Sequence, residues 1–145
     1  MKNKEDEEPK EYFERNMLFV ITLTIIALGI DFLAIYILKK MNPWGTLIGV
    51  PGVVLTLQAL WLLVNPYAIV YEDRFEIKQS LLSHKQFYYL DAKSVNNKKS
   101  NYITIVYNDN DEENISILGI KKSHKALFLK KIEEMVAISI KNRRF

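Results

Sequence analysis

Few residues in this chain have both the type and the spacing for chemistry. Asp31 is a carboxylic acid inside the otherwise uncharged run from Leu18 to Leu38. An ionised carboxylate inside a lipid-facing helix costs several kcal/mol, so such a group has to be protonated, paired or hydrated. In an antiparallel hairpin Asp31 falls opposite Val50-Pro51-Gly52. Pro51 has no N–H for the carbonyl of Leu47, which leaves an acceptor for a protonated Asp31. Two readings compete: a proton or ion relay with Gln58 as the second intramembrane polar group, or a plain helix-to-helix hydrogen bond or oligomer contact. A relay usually draws on several such groups, so the structural role is the expectation.

The remaining candidates are weaker. His84 and His124 each precede a lysine in a polar stretch, with no second ligand at helical or turn spacing. Surface positions are expected for both rather than metal binding or acid–base work. Asp109, Asp111, Glu112 and Glu113 lack the glycine and the closing bidentate glutamate of a calcium loop, so they read as a solvated turn. Ser80, Ser83 and Ser123 have no nucleophile elbow around them. The glycines (Gly29, Gly45, Gly49, Gly52 and Gly119) form no phosphate-cradling loop. The absence of cysteine removes disulfides, thiol catalysis and cysteine zinc sites. The chain reads as a non-enzyme with no cofactor and no metal.

The elements that hold these residues divide the chain sharply. Residues 1–12 are charged and without apolar periodicity, which predicts a flexible tail. Residues 13–64 read as a transmembrane hairpin, with helices at about 17–38 and 44–64. Each run is long enough to cross roughly 30 Å of hydrocarbon. Tyr12, Phe13 and Arg15 suit the headgroup layer, as does Trp44 at the link. Gly45, Gly49 and Gly52 offer a small-residue face for close helix approach, toward Ala27 and Ala34 of the same hairpin or toward a second copy. The acidic start and the length of the first run argue for a retained anchor rather than a signal peptide. Lys2, Lys4, Lys10 and Arg15 precede the hairpin and Arg74 and Lys78 follow it, against Lys39 and Lys40 in the link. The count favours both termini in the cytoplasm of a multi-pass inner-membrane protein. Much Lys, Asn and Ile, with little Gly, Pro and Ala, hints at an AT-rich bacterial genome.

Residues 65–145 change to short alternating runs. Strands are expected at Ala68–Tyr71, Arg74–Gln79, Gln86–Asp91, Tyr102–Tyr107 and Ile115–Leu118, with Ser94–Ser100 as a polar strand or loop. Phe75 and Ile77 share one face of their strand, and Arg74, Glu76 and Lys78 the other. Tyr88 and Tyr89 point to opposite faces, so at least one is expected outside the core, where it could mark a partner site. Ser123 reads as the N-cap of a last helix, whose stripe is Phe128, Leu129, Ile132, Met135, Val136 and Ile140. The period therefore predicts an antiparallel meander closed by one helix.

That order, with the phrases Asn65-Pro-Tyr-Ala-Ile-Val-Tyr-Glu-Asp-Arg-Phe-Glu-Ile, Tyr89-Leu-Asp91, Ile103-Thr-Ile-Val-Tyr107 and Ile115-Ser-Ile-Leu118, resembles the bacterial PH-like domains of small membrane proteins. The resemblance implies an α+β membrane protein: a two-helix hairpin, then a curved antiparallel sheet or partly open barrel capped by the last helix. It implies binding or scaffolding, in a regulatory or immunity role, more than catalysis. Phosphoinositide-binding members carry clustered bases at the first hairpin, whereas Tyr71–Lys78 holds three acids and two bases. Specific phosphoinositide recognition is therefore not carried over.

Net charge is −2 over residues 1–16 (four bases, six acids) and +4 over residues 65–145 (fourteen bases, ten acids). That is too mild for nucleic-acid binding. Lys78, Lys85, Lys98 and Lys99 are candidates for membrane-surface contact, each worth up to about 1 kcal/mol on anionic lipid, as are Lys121, Lys122 and Lys125. The expected partners are the bilayer and an unidentified protein or a second copy. The alternative is an accessory subunit of a transport or proton-linked system using Asp31.

Overall fold

The computed structural model describes residues 8–99 and 101–143. Its order is β1 (Glu11–Phe13), α1 (Met17–Lys39), α2 (Trp44–Val64), β2 (Ala68–Val70), β3 (Arg74–Lys78), β4 (His84–Tyr88), β5 (Ala92–Lys99), β6 (Tyr102–Tyr107), β7 (Glu112–Ser116) and α3 (Lys125–Asn142). The chain is α+β, with two long apolar helices, two antiparallel sheets and a C-terminal helix.

α1 starts because Asn16, in extended backbone, accepts the Leu18 N–H on its side chain at 3.2 Å. It has 23 residues and α2 has 21, or about 35 Å and 32 Å at 1.5 Å per residue. They are joined by a tight link in which Met41 has φ 57°, the left-handed conformation that ends a helix. The helices face each other through Val20, Ala27 and Ala34 on α1 and Gly45, Gly52, Ala59 and Leu62 on α2. The small residues let the backbones approach. A Cβ on Gly45 would lie 2.8 Å from the Ala34 carbonyl, and one on Gly52 would strike the Asp31 carboxylate. Outside that seam the hairpin is apolar and open: Leu18, Ile25, Phe32, Leu47 and Val50 are all more than 60% exposed.

One sheet has strand order β1-β2-β3-β4 and the other β5-β6-β7. The single curved sheet expected from the meander is thus two sheets, and no closed barrel forms. Ser94–Lys99 belongs to β5, with register shifts after Ala92 and after Asn96. The acid run after Asn108 is only partly turn, because β7 already begins at Glu112. Ser123 does not cap α3: a 3-10 turn at Lys122–His124 precedes the helix, and neither element has a side-chain cap.

The 11–13 stretch differs most from the reading of residues 1–12 as a flexible tail and of the hairpin as starting at 13. Glu11–Phe13 pair antiparallel with Ala68–Val70, and Phe13 is buried. Phe13 meets Phe128 edge-on at 4.9 Å, and Phe128 in turn meets Phe75 at 6.0 Å. The core forms where both sheets meet α3: Phe13, Phe75, Ile77, Ile103, Ile105, Phe128 and Ile132 are each 0–2% exposed. Each such side chain contributes about 1.5–3 kcal/mol relative to exposure. Of the predicted α3 stripe, Phe128, Ile132, Met135 and Val136 are buried, while Leu129 and Ile140 are partly buried against the same core. The rest of residues 1–12, apart from 8–12, lies outside the described residues.

Candidate functional site

Helices and sheets join at one seam, and Arg15 is its centre. The side chain is 4% exposed. Its Nε donates to the Asn65 carbonyl at 3.0 Å, its Nη atoms to the carbonyls of Pro66 (3.4 Å) and Gln79 (3.5 Å), and also to that of Lys78. It stacks between Trp61 and Tyr67 at 5.4 and 5.3 Å. Two of the four acceptors directly follow the C-terminus of α2, where a helix dipole favours a cation. Burial pulls the guanidinium down to about 10, with Tyr67 acting the other way. Arg15 is thus a clasp rather than the headgroup contact expected from its position. Of the aromatic pair before it, Phe13 is buried and Tyr12 is 60% exposed.

The same seam is tied by backbone. Asn16 N–H donates to Gly119 O at 2.8 Å and Lys121 N–H to Glu14 O at 2.9 Å. Tyr67 donates its hydroxyl to Ser116 O at 2.8 Å, with its ring over Gly119. A Cβ on Gly119 would overlap that ring, so only glycine fits there. Burial is the main cause of the raised Tyr67 pKa.

The two polar groups of the alternative, relay reading, Asp31 and Gln58, are not brought together. Asp31 Oδ2 accepts from Thr56 Oγ1 at 2.7 Å, across the hairpin. Gln58 turns to the sheet side, where its Oε1 accepts the Leu81 N–H at 3.0 Å. Gly45, Gly49 and Gly52 all face α1: Gly49 against Ala34, Gly52 against Asp31. Beside them a groove of about 600 Å³ runs along the hairpin, lined by Asp31, Ala34, Gly45, Gly49, Val50 and Val53 among others.

Strand direction sorts the charges of the domain. β2 leaves α2 at Ala68, so the turns at 71–73, 89–91 and 108–111 lie at the end far from the helices. The β3–β4 turn, the β5–β6 connection and the stretch 117–124 lie at the near end. Glu72, Asp73, Asp91, Asp109 and Asp111 are all in far turns, whereas among the described residues the near connections hold one acid, Glu14, which pairs with Lys121 at 2.7 Å. Lys78 ends β3 at the near end. Lys85, also near, is engaged by Glu113 at 2.6 Å. Lys98 and Lys99 close β5 at the near end, and the expectation for their side chains lies outside the described residues.

Three features escaped the sequence pattern. Arg74 and Glu76 are not on a solvated strand face: both are buried, with Arg74 Nε 3.4 Å from Glu76 Oε1 and its guanidinium 4.4 Å from the Tyr71 ring. His84, half-exposed, lies 3.2 Å from Glu76 Oε2, and Gln86 donates to Glu76 Oε1 at 3.0 Å. Alternation showed only the apolar face of β3. The third feature is a cleft of about 440 Å³ at the far end, between the β2–β3 turn and α3, lined by Lys10, Glu72, Tyr89, Ser139 and Arg143 among others. Tyr89 is 2% exposed and its hydroxyl has no hydrogen-bond partner among the described residues, as is true of Ser139 Oγ and Glu11 Oε2. Burial, then Asp73 and Glu11, raise the Tyr89 pKa. Tyr88 is the outer of the two tyrosines, as expected.

No three His, Asp or Glu side chains among the described residues stand together in an arrangement that would hold a metal ion. Comparison with protein-family models, curated proteins and solved structures finds no match.

Proposed function

We propose that this is a non-catalytic protein of a bacterial inner membrane. The hairpin crosses the bilayer, both termini lie in the cytoplasm, and the PH-like domain binds a protein partner or a second copy at the membrane surface. The observation that carries this reading is the surface of the hairpin. Only 17% of the most apolar stretch of each helix is buried, which supports lipid rather than a protein interior around them. Their length matches the hydrocarbon thickness, and lipid is the solvent that would cover Leu18, Ile25, Phe32 and Leu47 without cost. The near end of the domain, whose one connecting acid among the described residues, Glu14, is paired with Lys121, fits a surface of anionic headgroups.

The test is extraction and co-purification of the full chain. Retention in alkali-washed membranes, followed by elution from detergent with one defined partner or as a homo-oligomer, supports the proposal. A lone monodisperse monomer counts against the binding role, and release from membranes by alkali counts against the anchor.

The alternative is an accessory subunit of a transport or proton-linked system. The observation in its favour is that Asp31 and Thr56 pair beside a groove open along the hairpin. Gln58 no longer contributes, being bonded to Leu81. Proteoliposome flux lost in Asp31→Asn would favour it; unchanged flux would remove it.

A further inference from the structure

The β3–β4 turn carries an exposure that a water-facing turn does not need. It reads Ser80-Leu81-Leu82-Ser83, with Leu82 94% and Leu81 47% exposed. Its place is fixed by a bond into an apolar helix: Leu81 N–H donates to Gln58 Oε1 at 3.0 Å. Gln58 lies six residues before Val64, the last residue of α2. At 1.5 Å per residue this is about 9 Å down the axis from the helix end. It is also one turn below Trp61, whose ring packs on Arg15 at the seam. The turn therefore descends beside α2 rather than capping its end. Inside the turn the backbone is closed, with Gln79 N–H and Ser83 O 3.0 Å apart and Ser83 N–H bonded to Ser80 Oγ at 3.0 Å. These pairings lower the cost of bringing the turn into an apolar phase.

We propose that Leu81 and Leu82 form a foot of the domain that inserts into the acyl region of the same leaflet, resting on the membrane reading above. Gln58 is then the residue that sets its depth. Leu118, 52% exposed at the same end, lies in the neighbouring near stretch, which holds Lys121 and Lys122 and no acid of its own, with Glu14 of the β1–α1 connection paired to Lys121. The foot and the hairpin hold the domain flat on the bilayer, so its acid-rich far end, with the Tyr89 cleft, faces the cytoplasm.

The lack of cysteine allows single-site labelling of the full chain. Leu82→Cys, Leu90→Cys and Phe32→Cys, all exposed positions, take an environment-sensitive nitrobenzoxadiazole maleimide. The proteins are reconstituted in phosphatidylcholine–phosphatidylglycerol vesicles with doxyl-lipid quenchers. Leu90 is a 61% exposed leucine in a far turn, so it controls for partitioning of the dye itself. The expected result is a blue-shifted label at Leu82 quenched most by shallow doxyl lipid, a deeply quenched label at Phe32 and a water-like label at Leu90. A further Gln58→Leu change is expected to move the Leu82 signal toward that of Leu90. A deep Phe32 label with Leu82 indistinguishable from Leu90 overturns the foot while the span stands. A water-like Phe32 label overturns the span, and the foot with it.

Discussion

Replacing Arg15 tests whether the residues before α1 belong to the domain. If Arg15 were a headgroup anchor, Arg15→Lys would be nearly silent, because lysine snorkels as well as arginine. As a clasp it reaches four carbonyls from a buried position, and a single ammonium with three donors lacks the planar fork to do so. Arg15→Met removes the cation and leaves those oxygens facing a thioether. Hydrogen bonds to a charged group are worth about 1.5–3 kcal/mol each, offset here by the burial of an uncompensated guanidinium. Leaving the buried carbonyls without their donor costs about 1–3 kcal/mol each, partly offset because no charge then has to be desolvated. A domain of this size has about 4–12 kcal/mol in all, from roughly 0.05–0.15 kcal/mol per residue. Arg15→Met should therefore consume a substantial share of the stability, and Arg15→Lys about half as much. The assay is urea unfolding of the full chain in detergent, followed by near-ultraviolet circular dichroism, to which the Tyr67 ring beside Arg15 contributes. Loss of less than about 0.5 kcal/mol in Arg15→Met, the range of surface substitutions, would refute the clasp.

Other perturbations separate the remaining contacts. Gly52→Ala and Gly45→Ala should each destabilise the hairpin by about 1–3 kcal/mol through overpacking, whereas Gly49→Ala, whose Cβ would rest 3.5 Å from that of Ala34, should be tolerated; detergent-to-SDS titration followed by helical circular dichroism measures the order. Tyr89→Phe removes a buried hydroxyl that has no partner among the described residues and should raise domain stability by about 1 kcal/mol in the urea assay; a loss would mean that the hydroxyl is engaged. The Glu113 carboxyl is held below its ordinary 4.5 by its hydrogen bond with Lys85 and also by Tyr107, against the opposing effect of burial. Its folded value being depressed, this pair stabilises the fold fully above pH 4.5 and the contribution fades as pH falls through the folded value. Lys85→Met should flatten the pH dependence of unfolding below 4.5, and an unchanged slope would discount the pair.

How much was legible follows from the range of each signal. Helices at 17–38 and 44–64 match α1 and α2 within one residue, because long apolar runs with polar stops are local and unambiguous. Phe75 and Ile77 alternate into the core for the same reason. β1 was not legible: three residues, Glu-Tyr-Phe, follow a charged stretch, and their partner strand lies beyond the entire hairpin. Arg15 looked like an interface residue because the carbonyls that hold it come from residues 65–66 and 78–79. Gln58 read as an intramembrane partner of Asp31, but its bond is to a turn whose position only the folded domain defines. The split into two sheets falls between β4 and β5, and alternation within each strand does not encode which strands pair. The glycine face was legible as a packing face, and its use inside the hairpin follows from Asp31 and Ala34 lying opposite it.

The central claim is that the hairpin spans a bilayer with the domain and the link on opposite sides. Cysteine accessibility in intact cells measures this directly, using Met41→Cys in the link and Asp109→Cys in a far turn of the domain, both at exposed positions. A membrane-impermeant maleimide is expected to label position 41 in intact cells and position 109 only after the membrane is opened. Labelling of both positions in intact cells, or of neither until the membrane is opened, would contradict it.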